Sequence, residues 1–153
     1  MTYNEIYTRF LLYKIDDPFL KSLATEENEE ILYSILNGYL HATIAIPYVN
    51  KLFTSIRCND ENRELTYEFE NSVDEDLDKE FLLEILTKGM VLQWMTPKID
   101  TSLSLAQVIG GKEEKVLKND YKANIERLAE LKRELRKMIR DSNYQNNSYL
   151  KED

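Results

Sequence analysis

Asp78-Lys79-Glu80-Phe81-Leu82-Leu83-Glu84-Ile85-Leu86-Thr87-Lys88-Gly89-Met90-Val91-Leu92-Gln93-Trp94-Met95 is the stretch that decides how this chain folds. Starting from Leu77 just before it, Phe81, Leu82, Ile85, Leu86, Met90, Val91 and Trp94 recur at helical steps, which is the spacing of one apolar face. Leu83 and Leu92 widen that face to more than half the circumference. A helix covered from one side has no use for so wide a face. The spacing therefore predicts a central, largely buried helix, around which the remaining elements pack. Pro97 disfavours helical geometry in the residue before it, so this helix is expected to stop at or before Thr96.

Working back from the central helix, Ser72 to Asp78 reads as its acid-rich first turn. Before it, Leu65, Tyr67 and Phe69 alternate with Thr66, Glu68 and Glu70, the clearest strand pattern in the chain. Thr54–Cys58 could pair with it as a hairpin, or the same strand of a neighbouring subunit could. Asn59 to Asn62 is a turn, and Tyr48 to Ile56 fits either a helical turn or extended chain. Ile31, Leu32, Ile35, Leu36, Tyr39 and Leu40 form an amphipathic stripe in a helix that begins near Thr25 and is ended or kinked by Pro47. At the N-terminus, Thr2 and Glu5 have capping-box spacing and lead a helix to about Lys14. Asp17 and Pro18 then suit the cap and first position of a short helix through Leu23.

Beyond the central helix, Lys98 to Gly111 shows no steady period and reads as a loop with a Gly110-Gly111 joint. A long helix follows from about Glu113 to Arg140. Its stripe Leu117, Tyr121, Ile125, Leu128, Leu131, Leu135 and Met138 averages close to the coiled-coil period and suits packing along one partner helix. The expected fold is mainly α: a helical bundle over residues 1–141 with a long C-terminal helix, a small β segment, and an extended tail over residues 142–153.

Composition narrows the function. A chain of 153 residues is the size of one domain, and Gly 4 with Pro 3 favours long helices. No run approaches the roughly 18 apolar residues of a membrane span. Met1-Thr2-Tyr3-Asn4-Glu5 carries no basic cluster, so no signal peptide is expected. A lone Cys58 makes no intrachain disulfide and fits a reducing compartment. A net charge of −8 opposes simple nucleic-acid binding. The charge is uneven, however. Acids crowd Asp60 to Glu84, while Lys and Arg outnumber acids between Lys112 and Arg140. Such asymmetry suits docking between copies, or simply two solvated faces.

Signals for chemistry are sparse. His41 has no ligand or catalytic partner at useful spacing, and Cys58 has no basic neighbour; both read as structural. Asp74, Glu75, Asp76 and Asp78 miss the register of a calcium loop, and a helix N-terminus explains them better. Gly110-Gly111-Lys112 is followed by Glu113 where a phosphate loop needs Ser or Thr, and Ala106 stands at its earlier glycine position. Asn146 and Ser148 have glycosylation spacing without a secretory signal. The sequence predicts no enzyme, cofactor or metal.

One resemblance adds to this. The order Lys88-Gly89-Met90-Val91-Leu92-Gln93-Trp94-Met95-Thr96-Pro97, then Gly110-Gly111-Lys112-Glu113-Glu114-Lys115, then Tyr144-Gln145-Asn146-Asn147-Ser148-Tyr149-Leu150 resembles the head–tail connector (adaptor) proteins of tailed bacteriophages. It extends from the first helix to the tail. The resemblance implies a mainly helical virion protein in the neck region, assembled in the host cytoplasm. It implies a cyclic homo-oligomer of twelve copies beneath the portal protein, which extends the DNA conduit and joins capsid to tail. Packaged DNA would pass the lumen without specific binding, and no membrane would be involved. Tyr144, Asn146, Asn147, Tyr149 and Leu150 would form the arm that docks on the portal. Glu68, Glu70, Asp74, Glu75 and Asp76 would face the lumen, where carboxylates let DNA slide, or else an outer solvated surface. The extra length and the Leu65–Phe69 strand depart from the smallest adaptors. A stopper or tail-completion protein of the neck stays open beside the adaptor, as does a non-viral helical interaction module.

Overall fold

Thr2 opens the first helix with the reciprocal bonds its spacing from Glu5 predicts. Glu5 Oε2 accepts from the Thr2 N–H at 2.8 Å, and Thr2 Oγ1 accepts from the Glu5 N–H at 3.3 Å. In this computed structural model, residues 1–109 and 111–145 are described, with side-chain surroundings for 1–101 and 111–142. Helix α1 (Tyr3–Arg9) widens into one π-helical turn over Phe10–Lys14, so the first helical segment ends where the sequence places it. Helix α2 (Pro18–Ser22) starts with Pro18 and is capped by Asp17, which accepts from the Phe19 N–H at 3.0 Å and the Leu20 N–H at 3.3 Å.

A turn of 3₁₀ helix over Glu26–Asn28 precedes α3 (Glu29–Ile44), so the regular helix begins after the position Thr25 suggests. Leu32, Leu36 and Leu40 turn inward and Ile31 outward. The helix stops before Pro47, which starts the single turn α4 (Pro47–Asn50). Strands β1 (Phe53–Asn59) and β2 (Glu64–Phe69) then pair antiparallel within the chain, Cys58 opposite Leu65 and Ile56 opposite Tyr67. This is the hairpin option of the sequence reading. A two-stranded hairpin is marginal alone. Here it is propped on its outer edge by Met1 to Tyr3: Tyr3 N–H donates to Arg63 O at 2.8 Å, and Leu65 N–H to Met1 O at 2.8 Å. Stacked Phe53 and Phe69, with Phe69 against Phe81, seat it on the next helix.

That helix, α5 (Glu75–Ile109), is the buried centre. Leu82, Ile85, Leu86 and Met90 are wholly inaccessible, and Leu83, Val91, Leu92 and Met95 nearly so. Leu77 is an exception, exposed at the helix start. The central helix also runs on through Pro97, where the sequence reading ends it, and residues 98–109 are helical rather than a loop. One observation explains why. Met95 and Ile99 are buried on either side of Pro97, which continues the apolar stripe and outweighs a cost of about 3 kcal/mol for an interior proline. The carbonyl left without its helical donor is that of Gln93, and the Thr96 and Thr101 hydroxyls, which donate to the Leu92 and Pro97 carbonyls at 2.8 Å and 2.9 Å, do not replace that bond.

Gly111 has φ +71°, the left-handed geometry that suits glycine at the sharp reversal before α6 (Gly111–Gln145). Helix α6 runs antiparallel to α5; Lys88 and Glu134, equidistant from Gly111 in sequence, meet at 3.2 Å. Leu131, Leu135 and Ile139 of α6 are buried, whereas none of residues 111–127 is. The two helices, each about 50 Å long, thus share the body at one end and form a hairpin towards the Gly111 turn. Helix α6 continues to Gln145, so Ser142 to Gln145, read as the start of the tail, are helical. Asn146 to Asp153 lie outside the described residues. The fold is mainly α, with a small two-stranded sheet and a long C-terminal helix.

The other side of α5 is lined by α1, which runs parallel to it. Glu5 pairs with Lys79 at 2.6 Å, Arg9 with Glu80 and Glu84 at 2.8 Å each, and Lys14 with Glu84 at 2.9 Å. Asp17 completes the series. Its second oxygen accepts from Trp94 Nε1 at 2.8 Å and lies 3.2 Å from Lys98 Nζ. Helix α3 crosses α5 where Gly89 faces buried Thr43, whose hydroxyl donates to the Tyr39 carbonyl at 2.8 Å.

A methyl group on Gly89 would lie 2.1 Å from Thr43 Cγ2. Gly89→Ala is therefore expected to lower unfolding free energy by roughly 1–3 kcal/mol through overpacking. Thr43→Ser, which removes that methyl, should recover part of the loss in the same background; urea unfolding of the two variants checks both. Pro97→Ala restores a backbone donor within α5 and is expected to raise stability by roughly 1–3 kcal/mol, read by the same titration. A Pro97→Ala protein less stable than the parent would show that the helix needs its proline.

Candidate functional site

Two groups of residues qualify as a site: the acids where β2 leads into α5, and a polar cluster under the hairpin turn. The acids follow from local structure. Glu64, Thr66 and Glu68 alternate outward along β2 while Leu65 and Phe69 face the core. Glu68 stands opposite Ser55 on the solvent side, and the backbone N–H of Glu70 closes the sheet onto the Leu52 carbonyl at 2.9 Å. Asp74 caps α5, its Oδ1 accepting from the Asp76 N–H at 3.1 Å and the Leu77 N–H at 3.0 Å. Glu75 and Asp76 follow in the first turn, where the helix dipole favours negative charge.

The structure thus gathers Glu68, Glu70, Asp74, Glu75 and Asp76 at one end of the molecule, all exposed. Asp74 has the capping role that the sequence weighs against a calcium site. Glu68, Glu70, Glu75 and Asp76 have no ion-pair partner among the described residues. Beside them, Leu52, Phe69, Val73, Leu77, Phe81 and Met138 line a groove of about 430 Å³ rimmed by Asp78 and Asp141. Tyr144 lies in the last turn of α6. Asn146, Asn147, Tyr149 and Leu150 lie outside the described residues, so the arm itself has no described geometry.

The second cluster has no counterpart in the sequence reading. Asp60 at the hairpin turn accepts from Tyr3 Oη at 2.6 Å and lies 3.0 Å from His41 Nε2, while Tyr33 Oη donates to its carbonyl at 3.2 Å. Arg63, left-handed at φ 55°, stacks its guanidinium over the Tyr33 ring at 4.1 Å and reaches Glu29 at 3.1 Å and Glu30 at 2.8 Å. His41 thus has a partner nineteen residues away in sequence, which no spacing rule reveals. The effect is to tie the turn to α1 and α3.

Its chemistry is that of a latch. The Tyr3 hydrogen bond, helped by His41, holds the Asp60 carboxyl below its ordinary range. Burial, together with its hydrogen bond to Asp60, pushes the Tyr3 phenol above its usual range. Burial also raises the Cys58 thiol, which disfavours the thiolate a nucleophile needs. Among the described residues, no group of His, Cys, Asp and Glu is arranged to hold a metal ion. No described helix is long and apolar enough to cross a membrane.

The lowered carboxylates set the acid response. Lys79 and the cap bonds of Thr2 hold Glu5 at about 2. Burial tends to raise Glu84, but Lys14 and Arg9 outweigh it and leave it below its ordinary value. These groups bind protons more readily unfolded than folded, so their stabilisation is present above the unfolded carboxylate range and disappears as pH falls through the folded values. Melting temperature is expected to fall steeply between about pH 4.5 and pH 2. Glu84→Gln should lower it at pH 7 and flatten that slope, as thermal melts across the range would show.

No family model matches this chain, and neither a curated protein nor a solved structure matches it.

Proposed function

We propose that this chain is a structural virion protein of a tailed bacteriophage, a head–tail connector of the adaptor type. In this reading copies form a ring beneath the portal, extend the DNA conduit and join capsid to tail, and the chain transforms no substrate. The residue order from Lys88 to Pro97, Gly110 to Lys115 and Tyr144 to Leu150 supports it, through its resemblance to that family.

The observation that carries the reading physically is the set of exposed carboxylates with no ion-pair partner among the described residues, Glu68, Glu75 and Asp76, at the end of a long helical hairpin. A conduit wall for DNA works by repulsion. Carboxylates facing the phosphate backbone give it nothing to adhere to, so the duplex moves without being held. Long packed helices suit the other requirement, a wall that keeps its shape under load. Tyr144, Tyr149 and Leu150 suit an arm, since aromatic and aliphatic anchors supply most of the energy of a docking segment.

Removal of Tyr144–Asp153 is expected to leave the melting temperature of the body nearly unchanged and to abolish co-sedimentation with portal rings. Particles made with the truncated chain should lack it and remain tailless. Normal incorporation of the truncated chain would end the arm assignment. A full-length chain absent from particles would end the connector reading itself.

A further inference from the structure

Helix α6 is electrically two-sided. At about 100° per residue, with Leu128, Leu131 and Leu135 turned to α5, one flank carries Lys118, Lys122, Lys132, Arg136 and Arg140. The acid on that flank, Glu114, is paired with Lys118. The opposite flank carries Glu113, Asp120, Glu130, Glu134 and Asp141 with Lys112 and Arg127, and Arg127 pairs with Glu130 at 2.9 Å. Lys122 and Lys132 are exposed and have no ion pair among the described residues. Ile125 lies on the basic flank between them, 39% exposed.

The apolar groove described above opens on the acidic flank. Its wall includes Met138 and Asp141 of α6, with Val73 and Leu77 exposed across from them. Its rim carries Asp78 and Asp141, the latter 3.7 Å from Arg140, and exposed Glu70 stands between the lining residues Phe69 and Asn71. The chain therefore presents an apolar spot flanked by Lys118, Lys122 and Lys132 and an apolar groove rimmed by two aspartates. The two cannot meet within one molecule. Ile125 is about 20 Å from Met138 along the α6 axis, and the groove lies on the other side of the helix.

We propose that the Ile125-centred basic flank of α6 docks into the acid-rimmed groove of a second copy. The inference deepens the connector reading by naming the contact between neighbours, and it rests on that reading for its setting. Such a contact is heterologous: each copy offers the flank on one side and the groove on the other, which generates a ring when the rotation closes. Charge complementarity on the same chain favours a second copy over duplex DNA as the occupant of the flank, because a net charge of −8 repels a polyanion.

Charge exchange on the full-length chain tests it, with assembly read by sedimentation velocity. The wild type is expected to self-associate at low salt and to dissociate near about 1 M salt, where screening is nearly complete. Lys122→Glu with Lys132→Glu, and separately Glu70→Lys with Asp141→Lys, should each weaken association about tenfold or more with wild-type melting temperatures. Mixing the two variants should restore it, since reversed flank then meets reversed groove. A wild type that stays monomeric, variants that assemble like wild type, or a mixture that fails to recover would overturn the contact. So would short duplex DNA binding lost in the Lys122/Lys132 variant, which gives the flank to nucleic acid. Stronger association of a chain ending at Gln145 would also overturn it, because the groove would then belong to the chain's own tail. Portal co-sedimentation in the same samples separates this from failure of the connector reading: binding that persists leaves that reading standing.

Discussion

Helix α5 is wanted by the core on nearly every side, and this constraint places the other elements. Leu82, Ile85, Leu86 and Met90 point in several directions around the axis and all are inaccessible. Each fully buried side chain of this kind contributes roughly 1.5–3 kcal/mol relative to exposure. Three surfaces are needed to cover it, and the chain supplies α1 with its π turn, α3, and α6. The hairpin covers the remaining end, with Phe69 against Phe81.

Apolar cover alone does not fix how α1 lies on α5, because greasy surfaces slide. Position comes from the polar contacts along the seam. Glu5 with Lys79, Arg9 and Lys14 with Glu84, and Asp17 with Trp94 and Lys98 occur in rising order along both segments, so a shift by one turn breaks the Glu5, Lys14 and Asp17 contacts together and halves those of Arg9, which spans Glu80 and Glu84. Asp17 is the most constrained member. It is buried, caps α2 through one oxygen and receives the indole N–H of Trp94 through the other. A buried carboxylate is tolerable where it is satisfied in this way. It fixes the bend after the first helix to a single point on α5.

The legible parts of this fold were those set by local chemistry or strong periodicity. The capping pair Thr2 and Glu5, Asp17 with Pro18, the alternation of Leu65, Tyr67 and Phe69, and the wide face of α5 can each be read within a few residues. Pro97 shows the limit. Its local rule is sound, yet the decision lay in whether Met95 and Ile99 found cover, and cover comes from tertiary packing. The loop reading of Lys98 to Ile109 inherited that error. Leu77 failed for the opposite reason: it keeps the helical step but stands at the end of α5, where the core has run out and a groove begins. The acids of the candidate site were legible as a cluster, and the capping role of Asp74 followed from its place before a helix. The His41–Asp60–Tyr3 latch was not legible, because its members come from three elements joined only when the hairpin turn folds back.

The same molecule is therefore polarised mechanically and electrically. Its interior is settled by apolar burial around α5, and Arg9 and Lys14 are held in the α1–α5 seam and Arg63 under the turn. Glu68, Glu70, Glu75 and Asp76 have no ion-pair partner among the described residues at the other end of the sheet and the start of α5. On α6 the opposite holds, since α5 needs only its narrow apolar stripe and leaves the flanks free to differ in sign. Uncompensated charge of both signs, held on separate rigid surfaces, cannot relax within the fold. It is resolved only by solvent or by another molecule, and a second copy of this chain is one molecule that carries both signs.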